Sequence, residues 1–189
     1  MANLADCVDY NCQGGSLGTY HENDCGKEFV GGGSQMVIFD CASQLTDPTD
    51  GVEVAAEIAA DRAWLFTGIS ISIEAPSAQE QESNVSCRPK SVTTYDWSGT
   101  YENRNVNATN DLLHDILFSG KKFGGILIYE CQSNKDGYPQ SKWINEVIVA
   151  KGGLVFPAKT TEFQAYKGTF AWQSLQSPKT VITPTGIFN

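Results

Sequence analysis

Histidine and basic residues are scarce in this chain of 189 residues, which has two histidines, His21 and His114, and 13 Lys plus Arg against 22 Asp plus Glu. The net charge is −9 and the isoelectric point about 4.6. That balance argues against a nucleic-acid-gripping surface, because phosphate recognition needs clustered Lys and Arg to displace counterions. Two histidines leave imidazole acid–base chemistry few participants. No stretch approaches 18 uninterrupted apolar residues, so no membrane-spanning helix is expected. The opening residues, Met1-Ala2-Asn3-Leu4-Ala5-Asp6, carry neither the basic nor the apolar region of an export signal, and the expectation is a soluble chain made in the cytosol.

Signature motifs of catalysis are also lacking. There is no G-x-S-x-G, no H-E-x-x-H and no G-x-G-x-x-G after a strand, and Gly26-Lys27 is followed by Glu28 where a phosphate-binding loop needs Ser or Thr for magnesium. The acidic residues offer many carboxylate pairs, and their spacing singles none out. Neither an enzyme nor a cofactor is expected. The cysteines, at positions 7, 12, 25, 41, 87 and 131, include no C-x-x-C pair, and the first four are separated by four, twelve and fifteen residues. Such gaps do not fix two zinc ligands on one tight turn, so no metal is expected. Without export, the even count does not imply a disulfide framework, and the sequons at Asn84-Val85-Ser86 and Asn107-Ala108-Thr109 carry no meaning. His21 and Cys25 lack an orienting third group and an oxyanion hole. His114 sits beside an apolar helix stripe and reads as a structural residue.

What is present suits one domain: 41% hydrophobic residues with four Trp, seven Tyr and nine Phe. Residues 1–35 form a Gly/Cys-rich arm or loop region, in which Tyr10, Tyr20 and Phe29 imply docking onto the same domain or a neighbour. Residues 36–189 form a single, mainly β assembly domain with a C-terminal arm, read as a two-sheet antiparallel β-sandwich or barrel-like fold with a flanking helix. Strands are expected at Met36–Phe39, Trp64–Glu74 (Ile69, Ile71 and Ile73 alternating with Ser70 and Ser72), around Tyr95–Glu102, and at Gly125–Cys131, Trp143–Ala150, Phe163–Trp172 and Lys179–Thr183. Lys135-Asp136-Gly137 and Gly152-Gly153 read as turns between them. Asn107 or Thr109 can cap a helix whose stripe is Leu112, Leu113, Ile116 and Leu117, with Gly120 as its stop. A shorter helix begins with a capping-box pattern at Asp50, although Val52, Val54, Ala56, Ile58 and Ala60 also alternate as a strand would. The polar, acidic stretch Pro76–Asn84 reads as a projecting hairpin loop.

Charge is segregated along the chain. Residues 1–120 carry 18 acidic and 5 basic side chains, a balance of −13, whereas residues 121–189 carry 4 and 8, a balance of +4. If the two stretches surface on different sides, one molecule's basic side can meet the next one's acidic side, and a head-to-tail contact builds rings or filaments. Lys121 and Lys122 open the basic stretch; they are expected to be available for such contacts and to tolerate reversal without loss of the monomer fold.

The order of strand, acidic loop, long strand region, the helix Asn107-Ala108-Thr109-Asn110-Asp111-Leu112-Leu113-His114-Asp115-Ile116-Leu117, the strand Gly124-Gly125-Ile126-Leu127-Ile128-Tyr129-Glu130 and a β-rich close resembles the tail-tube (major tail) proteins of long-tailed bacteriophages. The resemblance covers residues 36–189 by pattern, and the cysteine-rich opening departs from it. It implies hexameric rings joined through sheets and stacked into a hollow virion tail tube, with other phage structural proteins as partners. DNA would pass through the lumen without specific binding, along a carboxylate-rich lining that repels phosphate. Two alternatives stand beside it: a head decoration or auxiliary capsid protein, and a carbohydrate-binding β-sandwich using Trp97, Tyr101, Trp143 or Trp172 as stacking platforms.

Overall fold

The computed structural model describes residues 33–81, 91–133, 139–157 and 163–188. The N-terminal arm, the tip of the acidic loop (82–84) and the Lys135-Asp136-Gly137 turn therefore lie outside the described residues, apart from Gly33–Gln35, which already belong to the first strand.

Ten antiparallel strands and two helices follow one another as β1 (Gly33–Asp40), α1 (Gly51–Ala59), β2 (Ala63–Phe66), β3 (Ile69–Ile73), β4 (Ser77–Gln81), β5 (Ser91–Asn103), α2 (Ala108–Leu117), β6 (Lys122–Ser133), β7 (Pro139–Ile144), β8 (Ile148–Val155), β9 (Ala165–Ser174) and β10 (Lys179–Ile182). All strands belong to one sheet that folds back on itself. One layer runs β10-β7-β6-β1-β2 and the other β8-β9-β5-β3. The layers meet at two thin corners, Gly33↔Ile71 between β1 and β3 and Lys122↔Val149 with Phe123↔Ile148 between β6 and β8. The sheet thus rolls up without sealing into a continuous barrel. The expectation of a β-rich fold with a flanking helix holds.

Two segments that read as single strands are each divided, and both divisions mark the passage between layers. Trp64–Glu74 breaks after Phe66, where Gly68 takes φ 63 and turns the chain from β2 into β3. Trp143–Ala150 breaks at residues 145–147, between β7 and β8. Such corners let one strand serve both layers. The Gly152-Gly153 turn is a correction: both residues lie inside β8, and Gly152 faces Gly168 of β9. A Cβ on Gly152 would come within 2.3 Å of the Lys167 carbonyl oxygen, so the pair of glycines permits a close approach of two strands instead of a reversal.

Hydrophobic alternation explains the two cores. Met36 and Ile38 of β1 face inward between the layers with Phe66, Ile69, Phe123, Ile126 and Phe170, and Leu113 and Leu117 of α2 complete that cluster. Val37 and Phe39 face the other way, where α1 and the chain's end cover them through Val54, Leu45 and Ile187. A register shift between Phe39 and Asp40 changes the parity of β6, which puts Phe123 on the same side as Ile126 and Ile128. The C-terminal segment folds back on its own domain, with Ile187 in the second core and Phe188 stacked on Tyr129 at 5.1 Å.

Helix starts follow their capping residues. The Asp50 side chain accepts from the Val52 and Glu53 amides, and Asn107 Oδ1 accepts from the Asn110 amide. Glu53 does not close a capping box; its carboxylate accepts from the Thr46 and Asp47 amides and pins the preceding loop. Glu57 does the same from inside the structure, accepting from Ser43 Oγ, the Gln44 amide and the Arg62 guanidinium.

Lys121 corrects a further expectation. Its ammonium lies 2.6 Å from Asp40 Oδ2, with 14% and 3% of the two side chains exposed, and sits 5.4 Å from the Trp64 ring centroid. The residue is a structural ion pair under β1, unavailable for contacts between molecules, because a buried Asp40 needs the cation more than solvent does. Lys121→Glu is therefore expected to destabilise the monomer by about 3–5 kcal/mol in urea unfolding; a change below about 1 kcal/mol would show that the pair is solvated.

Candidate functional site

Three kinds of surface could carry function: strand edges, the outward face of the second layer, and a pair of clefts. The edges come first because the topology creates them. β10 and β2 end the first layer on opposite sides, and among the described residues no strand pairs with the outer edge of β10. Among the described strands β4 pairs with β5, and β9 joins β5 from Tyr95 onward, past Ser91, Val92 and Thr94, which lie opposite β4. All five β4 residues are exposed. The acidic stretch expected to project thus leaves the body as a two-stranded ribbon, an arrangement of marginal stability in water unless something covers it.

The outward face of β3, β5, β9 and β8 is polar and built from short side chains. One cross-strand row is Ser72, Thr100, Thr169 and Lys151, and another is Ser70, Glu102 and Lys167. Hydrogen bonds lace it: Ser72 Oγ to Thr100 Oγ1 at 2.7 Å, Ser98 Oγ to Glu74 at 3.0 Å, Gln173 Nε2 to Asp96 at 2.8 Å. Arg104 and Lys167 converge on Glu102, and the Arg104 hydrogen bond leads in holding that carboxyl below its ordinary range. Acidic and basic groups are mixed on this face. Carboxylates gather instead around α1, where Asp47, Asp50 and Asp61 are exposed.

Two adjoining clefts share Glu146, Trp172 and Gln173. One, of about 460 Å³, is lined by Trp143, Asn145, Gln176 and Lys179; the other, of about 660 Å³, by Asp96, Trp97, Lys122 and Lys151. Asn145 Oδ1 is buried without a hydrogen-bond partner. Neither cleft is lined by histidine or cysteine. Of the aromatics proposed as sugar platforms, Tyr101, Trp143 and Trp172 are 2%, 3% and 5% exposed, and half-buried Trp97 stacks on Trp172 with rings 6.0 Å apart. Sequence reasoning missed these clefts, since residues 145–147 looked like mid-strand.

The histidine among the described residues lies in the core. His114 stacks on Tyr166 at 3.7 Å, is hydrogen-bonded to the Asn110 carbonyl through Nδ1, and meets the Tyr101 hydroxyl at Nε2, both at 2.7 Å. Nδ1 therefore carries the proton and Nε2 accepts. Burial pushes its pKa down to about 4, against the weaker opposing pull of the Asn110 carbonyl, Asp111 and Asp115. Cys41 Sγ lies 3.6 Å from the Lys122 carbonyl oxygen, and Cys7, Cys12, Cys25 and Cys87 fall outside the described residues. No group of three or more His, Cys, Asp or Glu able to hold a metal occurs among the described residues, and no helix there is long and apolar enough to cross a membrane.

No protein-family model and no curated protein matches this chain.

Because the folded pKa of His114 lies below its unfolded value of 6.5, its contribution is complete above pH 6.5 and is lost as pH falls toward 4. The loss expected is about 3 kcal/mol. Glu57, held low chiefly by Arg62, and Glu102 begin to give up their stabilisation only as pH falls through the ordinary carboxylate value of 4.5, so the loss above that pH belongs to His114. Urea unfolding at pH 7, 5.5 and 4 should show the first loss in the native chain and not in His114→Gln; a flat profile in the native chain would contradict the buried neutral imidazole.

Proposed function

We propose that this chain is a self-assembling structural subunit of a virion, of the tail-tube kind, forming hexameric rings that stack into a hollow tube conducting DNA. The observation that carries the reading is the exposed strand at two margins: among the described residues no strand lies beyond β10, and β4 leaves as a ribbon with every residue exposed. Exposed edges are a hazard for a monomer and an asset for a subunit, because each new strand pairing satisfies main-chain groups on both copies. The resemblance in element order to tail-tube proteins supports the same reading.

The polar outward face of the second layer suits the channel. Its cations, Lys151, Lys167 and Arg104, are interspersed with Glu74, Asp96 and Glu102, and Lys167 and Arg104 are paired through Glu102, so the face is not a run of unopposed Lys and Arg that would hold phosphates. Rapid passage of DNA asks for a hydrated surface that neither grips nor blocks. In place of the carboxylate-rich lining expected from composition, the suited face is mixed in charge and hydroxyl-rich.

Negative-stain electron microscopy of the purified chain, with light-scattering mass measured across protein concentration and salt, tests the proposal. Rings with a central channel, alone or stacked, are expected; a particle that stays monomeric at every concentration would overturn it and turn attention to a decoration role.

A further inference from the structure

The antiparallel pair β8–β9 has two unlike ends. Val149 lies opposite Ala171 near one end and Val155 opposite Ala165 at the other. Eight residues of β8 at about 3.4 Å each put those ends roughly 25 Å apart. At the Val155–Ala165 end, Phe156 is 67% exposed, Phe163 78% and Val155 43%, and none of the three belongs to either core. Gln164 is exposed beside them, and residues 154–157 and 163–166 carry no charge. Exposed phenylalanines grouped in this way mark a surface that meets another molecule.

The opposite end of the same pair opens into the cleft of about 460 Å³, a size that admits aromatic side chains. Its apolar lining is Trp143, Trp172, Pro178 and Leu175, the last 64% exposed, and Asn145 Oδ1 is buried there without a hydrogen-bond partner. We propose that the tip formed by Phe156, Phe163 and Gln164 of one copy seats in this cleft of the next copy of this chain, end to end along β8 and β9. This rests on the assembly reading and supplies the contact between stacked rings.

Tip and cleft match in kind. The two phenylalanine rings bring apolar area to Leu175 and Pro178, and aromatic groups filling a pocket carry most of the energy in contacts of this sort. The Gln164 amide brings an N–H donor to Asn145 Oδ1, an acceptor whose burial without a partner is costly. A neutral tip has no ion to desolvate, and the charged groups of the cleft, Glu146 and Lys179, are of opposite sign. Because tip and cleft stand at opposite ends of one strand pair, a copy that has seated its tip still offers its cleft. The contact is therefore heterologous and repeats in one direction, which gives a stack its polarity.

The test uses the full chain. Phe156→Ser with Phe163→Ser removes the tip, and Leu175→Glu alters the cleft; all three side chains are exposed, and unchanged urea midpoints verify intact monomers. In electron microscopy each variant should still form rings but need about tenfold or more protein to stack them. Rings of the two variants, mixed, should join in pairs and stop, because one set keeps only clefts and the other only tips. Phe163→p-benzoylphenylalanine in ¹⁵N-labelled protein, stacked with unlabelled native chain and photolysed, should mark unlabelled peptides that carry residues 143–146 or 172–178. Variants that stack as the native chain does, mixed rings that never pair, cross-links elsewhere, native rings that never stack, or rings lost together with stacks would overturn this contact while leaving the assembly reading standing. A native chain that never assembles would overturn both.

Discussion

Everything in this fold hangs on the β1–β6 ladder, which runs from Gly33↔Glu130 to Asp40↔Phe123 and is covered on both faces. Gln35–Asp40 and Phe123–Ile128 are all buried. A strand pair with no wet face can sit only in the middle of a molecule, so its neighbours are forced outward: β7 and β10 on one side, β2 on the other, with a core above and a core below. The Lys121–Asp40 pair closes this ladder at its end, which explains why a lysine at the start of the basic stretch turns inward.

From that centre the rest follows by subtraction. The apolar groups of β1 and β6 demand two covers; the second layer with α2 provides one, and α1 with the chain's end provides the other. The corners at Gly68 and at residues 145–147 let β2 and β7 continue into the opposite layer, so that two short seams suffice to roll the sheet. With the covers spent on faces, no strand among the described residues pairs with the outer edge of β10. That edge is where a subunit of this architecture could add a strand to a neighbour.

Period-two and helical patterns made most of this legible. Ile69, Ser70, Ile71 and Ser72 alternate as written, and Asp50 and Asn107 begin the helices they were expected to begin. The same patterns hid the corners, because alternation continues through a kink and carries no mark of which layer a strand joins. Gly152-Gly153 misled for a related reason: glycine permits both a reversal and a close approach, and the partner strand decides between them. Trp143 and Trp172 looked like binding platforms because composition cannot say which face of a strand is buried. Lys121 looked like a surface charge because its partner, Asp40, lies far away in the chain. The clefts beside Glu146 exist only through the corner that sequence could not show.

The central proposal is that the β10 edge becomes a contact of an assembly while the β1–β6 ladder is complete in the single molecule. Amide hydrogen exchange, compared between the monomer and the assembled particle, tests it most directly. Amides of β1 and β6 should exchange slowly in both, while those of β10 should exchange readily in the monomer and become protected on assembly. Protection gained elsewhere with β10 unchanged, or a β1–β6 ladder that is protected only in the particle, would contradict the account.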